Sequence, residues 1–101
     1  MDELVEQTKA LASDVRLSIL GWLKEPGRHF PDQLSGDPEE VGVCVSLIAK
    51  KLGVSQPTTS RHLELLRRAG FVKVRRIAGW AFYARDEAEL KAYQRRLHDT
   101  V

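Results

Sequence analysis

The chain has 101 residues, 43% of them hydrophobic and 30% charged, the profile of one folded soluble domain spanning 1–101. Its one cysteine, Cys44, excludes an internal disulfide and fits a reducing cytoplasm. The start, "MDELVEQTKALA", lacks the basic and apolar segments of a signal peptide, and no stretch approaches the ~18 apolar residues of a membrane span.

Residues 3–12 read as a helix with Leu4, Val5, Thr8, Leu11 and Ala12 on one side. Ser13 or Asp14 then caps a second helix over about 14–24, with Val15, Ile19, Leu20 and Leu23 as its apolar stripe. Pro26-Gly27 stops it. Residues 25–40, "EPGRHFPDQLSGDPEE", hold three of the four prolines and read as a long loop with one short turn near Gln33. A third helix is expected over about 41–52, with Cys44, Leu47, Ile48 and Leu52 facing inward and Lys50 and Lys51 facing out. Gly53 suits a left-handed cap at its end. Ser55 then caps a fourth helix that tolerates Pro57 in its first turn and buries Leu63, Leu66 and Ala69. "FVKVRRI" (71–77) and "WAFYAR" (80–85) are β-branched and aromatic, and Ala78-Gly79 between them suits a hairpin turn. Asp86 and Glu89 have capping-box spacing and open a last helix to about 98, striped by Leu90, Tyr93, Leu97 and Val101. The expected fold is mainly α with a small β-hairpin, about five helices in all.

Charge is unevenly spread along these elements. Residues 1–40 hold nine acidic and four basic side chains, whereas 41–85 hold nine basic and a single acid, Glu64. Such a basic block fits a polyanion; a solvated basic face is the plainer alternative. Within it, the fourth helix starts with Ser55, Gln56, Thr58, Thr59, Ser60, Arg61 and His62, short polar residues that are mediocre helix formers. Helices at 41–52 and 55–69 joined through a glycine have helix-turn-helix spacing. In that motif the second helix enters the DNA major groove and its first turns meet base edges. Gln pairs with adenine and Arg with guanine, while Ser and Thr reach bases or phosphates. The expected base-reading set is therefore Gln56, Thr58, Thr59, Ser60, Arg61 and His62. Ser55 at the helix start, with Lys73, Arg75 and Arg76 on the hairpin as a wing, should hold the phosphate backbone.

The segments "ALASDVRLSILGWL", "LIAKKLGVSQPTTSRHLELLRRAGFVKVRR" and the closing helix resemble the ArsR/SmtB family of winged helix-turn-helix repressors. The resemblance runs from about 8 to 97 and is strongest over 47–76. "SDVR" departs from the family's usual Asp-Pro-x-Arg turn, and the loop at 25–40 is longer than in its commonest members. The resemblance implies a homodimeric repressor of double-stranded DNA whose interface is formed by the first and last helices, about 3–12 and 86–98. Leu4, Leu11, Leu90, Tyr93 and Leu97 are the matching candidates. A twofold dimer of this kind meets an imperfect palindrome.

Members of the family often respond to a metal or to thiol oxidation. One such metal site is a Cys-x-Cys pair; here "VCVSL" keeps Cys44 but has Ser46 at the second position, a poor soft-metal pair. Cys44 is read as a small buried hydrophobe, with a thiol trigger or a weak metal ligand as alternatives. A second family site uses Asp-x-His in the last helix; Asp86 is present, but position 88 is Ala, and His98 and Asp99 lack partners. No cofactor is expected. Nor is enzyme chemistry: there is no phosphate-cradling glycine loop and no nucleophile elbow. A protein-interaction module on a winged-helix scaffold is the rival to DNA binding.

Overall fold

The computed structural model describes residues 2–101. Along the chain run α1 (Glu3–Leu11), α2 (Asp14–Lys24), α3 (Pro26–His29), α4 (Pro38–Val41), β1 (Val43–Cys44), α5 (Val45–Leu52), α6 (Gln56–Arg68), β2 (Val72–Ile77), β3 (Trp80–Arg85) and α7 (Glu87–Thr100). Among the described residues the helix count is seven, above the expected five, because two single turns punctuate the long loop.

Capping chemistry sets most boundaries. Asp2, Ser13, Ser55 and Asp86 each accept a hydrogen bond from a first-turn backbone N–H, opening α1, α2, α6 and α7. Gly53 ends α5 at φ 75°, the left-handed conformation in which its N–H returns to the carbonyls of Ala49 and Lys50. The hairpin turns at Ala78 and Gly79, both at positive φ, and pairs Ile77 with Trp80.

One element differs from expectation. The helix placed at 41–52 begins only at Val45, because Val43 and Cys44 form a third strand beside β3, opposite Tyr83 and Phe82. The sheet order is β1-β3-β2, antiparallel throughout. Gly42 makes this pairing possible: it sits at φ 95°, and a Cβ there would lie 2.7 Å from the Tyr83 carbonyl oxygen. Cys44 is buried as expected, but in β1 and at the N-cap of α5 instead of on a helical stripe.

The core unites the helices with one face of the sheet. Ile19, Leu20 and Leu23 of α2, Ile48 of α5, Leu63 and Leu66 of α6, Phe71, Val72, Leu90 and Tyr93 form one buried cluster. Phe71 meets Tyr93 edge-on at 5.2 Å. The 25–42 segment joins this body at two points. Phe30 enters the core, and Lys51 lies over both Trp22 and Phe30. Buried Gln33 donates to the carbonyls of Gly36 and Gly42 and accepts from the Cys44 N–H. These three bonds satisfy its amide and staple the loop to β1.

The terminal helices lie side by side. Thr8 and Tyr93 share a hydroxyl hydrogen bond of 2.8 Å, and buried Gln7 donates to the Ala69 carbonyl while accepting from Arg96. Two interface candidates are corrected here. Leu90 and Tyr93 are 7% and 5% exposed within a single copy, because the α7 stripe packs on the chain's own core. Leu4, Leu11 and Leu97 are half-buried at its margin. Among the described residues no helix is long and apolar enough to cross a membrane.

Candidate nucleic-acid interface

Helix α6 has two faces of different chemistry. Thr59, Leu63 and Leu66, at spacings of four and three, form its buried side. Ser55, Gln56, Ser60 and Arg61 are exposed on the other side, with Thr58 and His62 half-buried at its edge. Thr59 is thus a correction to the expected base-reading set. It is 0% exposed, and its hydroxyl donates to the Ser55 carbonyl at 2.9 Å, so it braces the first turn from within. The 59–63–66 spacing was the signal that places it there.

The outward front is ordered by its own hydrogen bonds. Ser55 Oγ accepts from the Thr58 N–H and donates to Thr58 Oγ1 at 3.0 Å. Arg61 Nη2 donates to the same Thr58 oxygen at 3.2 Å. With both acceptor positions of that oxygen occupied, the Thr58 hydroxyl keeps its proton as its remaining hydrogen-bonding capacity. The arrangement holds Arg61 along the first turn without neutralising it, since Thr58 carries no charge.

The rear of the same helix is electrostatically closed. Arg67 grips Glu64 in a two-point pair at 2.8 and 2.7 Å, and Arg68 Nε adds a contact at 3.3 Å. The Arg67 hydrogen bond is the main cause, with Arg68 assisting, of a Glu64 carboxyl held far below its usual range, at about 2. Two of the basic residues counted in the sequence are therefore matched to the block's one acid.

The wing residues are divided by strand alternation. Lys73 and Arg75 share one face of β2, across from Ala84 and Phe82; Arg76 points to the other face, across from Ala81. All three are exposed. Lys73 and Arg75 line a cavity of about 440 Å³ against α4, and Arg75 Nη1 reaches the Glu40 carbonyl at 3.5 Å. The expected three-residue cluster is thus two residues beside the 25–42 segment and one on the opposite side. Trp80, 50% exposed at the hairpin turn, was not anticipated as part of this surface.

The metal alternative finds no fitting group of ligands among the described residues. Cys44 is 5% exposed with its sulfur 3.4 Å from the Ser46 hydroxyl, and among the described residues no three His, Cys, Asp or Glu side chains are grouped to hold a metal ion. A buried thiol beside a hydroxyl lacks the second thiolate that a soft metal requires.

Comparison with known proteins agrees with this geometry. Residues 40–74, which span β1, the two helices and the start of the wing, match the model of the family described as bacterial regulatory protein, arsR family. The chain is 48% identical over 85 residues to the uncharacterized HTH-type transcriptional regulator YbzH of Bacillus subtilis (strain 168), covering 84% of this chain and 85% of that protein. It is 33% identical over 79 residues to the arsenical resistance operon repressor of Escherichia coli (strain K12), covering 78% of this chain and 56% of that one. Among solved structures it is similar to the homodimeric winged helix-turn-helix DNA-binding domain Mb0332 of Mycobacterium bovis. The TM-score is 0.68 at 25% identity, over 98% of this chain and 79% of that one. With 48% identity to YbzH over 85 aligned residues, most of both chains, and the family pattern running through the two helices and into the start of the hairpin, the chain belongs to the ArsR family of winged helix-turn-helix, DNA-binding transcriptional regulators, and is not an enzyme.

Proposed function

We propose that the protein is a homodimeric repressor that reads an imperfect palindrome in cytoplasmic DNA. The observation that carries this reading is the front of α6: Ser55, Gln56, Ser60 and Arg61 stand exposed on a capped helix whose opposite side is locked into the core. Gln56, Thr58, Ser60, Arg61 and His62 supply base and neighbouring phosphate contacts. Ser55, Lys73, Arg75 and Arg76 hold the backbone. The chain acts as one winged helix-turn-helix unit, and its terminal helices pair with those of a second copy. Support for pairing comes from half-buried Leu4, Leu11 and Leu97 and from Arg96 Nε, which is buried in this layer without a hydrogen-bond partner among the described residues. The Mb0332 domain is itself a homodimer, and the arsenical resistance protein a repressor.

Fluorescence anisotropy with the duplex upstream of the protein's own gene, at two salt concentrations, tests the reading. Tight binding to that duplex and weak, steeply salt-dependent binding to a scrambled one is the expected result. Equal affinity for both overturns it. Sedimentation at micromolar protein should show a dimer, and transcription from that duplex should fall as protein is added.

A further inference from the structure

Arg16, the last residue of "SDVR", ties three elements together. It lies half-buried in the first turn of α2. Its Nε donates to the Ala10 carbonyl at 2.6 Å and its Nη2 to the Lys9 carbonyl at 3.4 Å, the end of α1. Its Nη1 lies 3.1 Å from Nδ1 of His62, in the proposed recognition helix. A guanidinium has only donors and does not give up its proton in a protein. The His62 Nδ1 must therefore be the acceptor, bare of hydrogen, and the ring's one proton sits on Nε2. Nε2 has no hydrogen-bond partner among the described residues.

We propose that Arg16 is a positioning residue for the DNA-reading surface: it holds His62 as the neutral Nε2–H tautomer, leaving the ring a single outward donor that pairs with a hydrogen-bond acceptor on the duplex. That acceptor is a phosphate oxygen or a purine N7; the exocyclic amino groups of adenine and cytosine are refused because they too donate. The inference rests on the DNA-reading role given to α6 above. The surroundings favour the neutral ring. Burial, then the charges of Arg16 and Arg61, push the His62 pKa below its ordinary value. On the same side, Glu6 and Lys9 of α1 and Arg68 of α6 line a cavity with Arg16, and Glu6 lies 3.6 Å from Lys9. Adding a proton to Nδ1 would set two donors against each other across 3.1 Å and break the link from Arg16 to α6, while its bonds to the end of α1 remain.

The first test uses the full chain without DNA. Long-range ¹⁵N NMR of the three histidine rings, with His62→Gln to assign the His62 signals, should show His62 as the Nε2–H tautomer at pH 7.5. In Arg16→Met the same ring should relax to a tautomer mixture and titrate at higher pH. A His62 that is Nδ1-protonated or charged at pH 7.5, or whose tautomer and titration are unmoved by Arg16→Met, overturns the proposal. The second test uses the upstream duplex with one methylphosphonate or one 7-deazapurine at a time. One such substitution should weaken the wild type about three- to tenfold, the scale of one hydrogen bond, and leave His62→Leu unaffected. A methylphosphonate identifies the acceptor as phosphate, and a 7-deazapurine as N7. A substituted set in which the two proteins always lose affinity together overturns the outward-donor role. A protein that prefers no duplex also overturns that role, and then the NMR result standing alone shows that the DNA reading has failed and the Arg16–His62 link has not.

Discussion

The front and rear halves of α6 carry similar side chains to opposite ends. Arg61 at the front hydrogen-bonds to a neutral hydroxyl and keeps its charge available; Arg67 and Arg68 at the rear surround Glu64. Counting cations over this helix would rank the rear as the stronger anion-binding surface. Pairing reverses the ranking, because a cation already in contact with a carboxylate releases fewer counterions when it approaches a phosphate. The rear pairs themselves add little to stability, being exposed to water and salt.

The comparison breaks most completely where both halves lose their common support. Leu63→Ala hollows the fully buried stripe beneath them and should cost about 2–5 kcal/mol. Urea unfolding reads this as a lower midpoint at unchanged slope. The front alone is removed by Arg61→Ala or Gln56→Ala. Each should weaken binding to the preferred duplex by about 1–3 kcal/mol; Gln56→Ala should barely change binding to scrambled DNA, while Arg61→Ala, which also removes a charge, should lower it by less than it lowers the preferred duplex. Equal losses on both duplexes would reassign that residue to backbone holding. Thr59→Val separates support from reading within the front itself. It removes the hydroxyl bonded to the Ser55 carbonyl and should cost about 0.5–1.5 kcal/mol of stability with duplex preference intact.

The smallest effect is sought at the rear. Glu64→Gln frees Arg67 and Arg68, so affinity for scrambled DNA should rise and the salt slope steepen by about one to two units. The same pair sets a pH expectation. The folded-state pKa of Glu64 is lowered from 4.5 to about 2, so its contribution is complete above the unfolded value and is lost as pH falls toward 2. NMR titration of the Glu64 carboxyl checks this; a midpoint near 4.5 would dissolve the contrast between the two halves. His62 carries the same sign in a higher pH window. Its lowered pKa means that the unfolded chain binds the proton more readily, so stability falls as pH drops below about 6.5.

Legibility followed the range of the interactions. Ser13, Ser55 and Asp86 mark helix starts through bonds to backbone three residues away, and all three were readable as caps. Gly53 and the Ala78-Gly79 turn were readable for the same reason. The strand Val43–Cys44 was not. Two residues show no period, and their pairing depends on Tyr83 and Phe82, some forty positions away. Gln33 looked like a turn residue in a polar loop; only the nearby Gly42 carbonyl and Cys44 N–H make it a buried staple. Thr59 misled in another way. Its hydroxyl suggested recognition, while its spacing from Leu63 and Leu66 already placed it on the inner face.

Hydrophobic spacing, caps and turns were enough to establish a helix-turn-helix followed by a hairpin, because each is decided within a few residues along the chain. Which polar groups remain free on that scaffold was decided in three dimensions. Arg75 reaching the Glu40 backbone carbonyl and Arg16 crossing from α2 to His62 are encounters whose reach and direction depend on how the helices and sheet pack. Charge and hydrogen-bonding capacity are written residue by residue, but whether they face solvent or one another is a property of the folded arrangement.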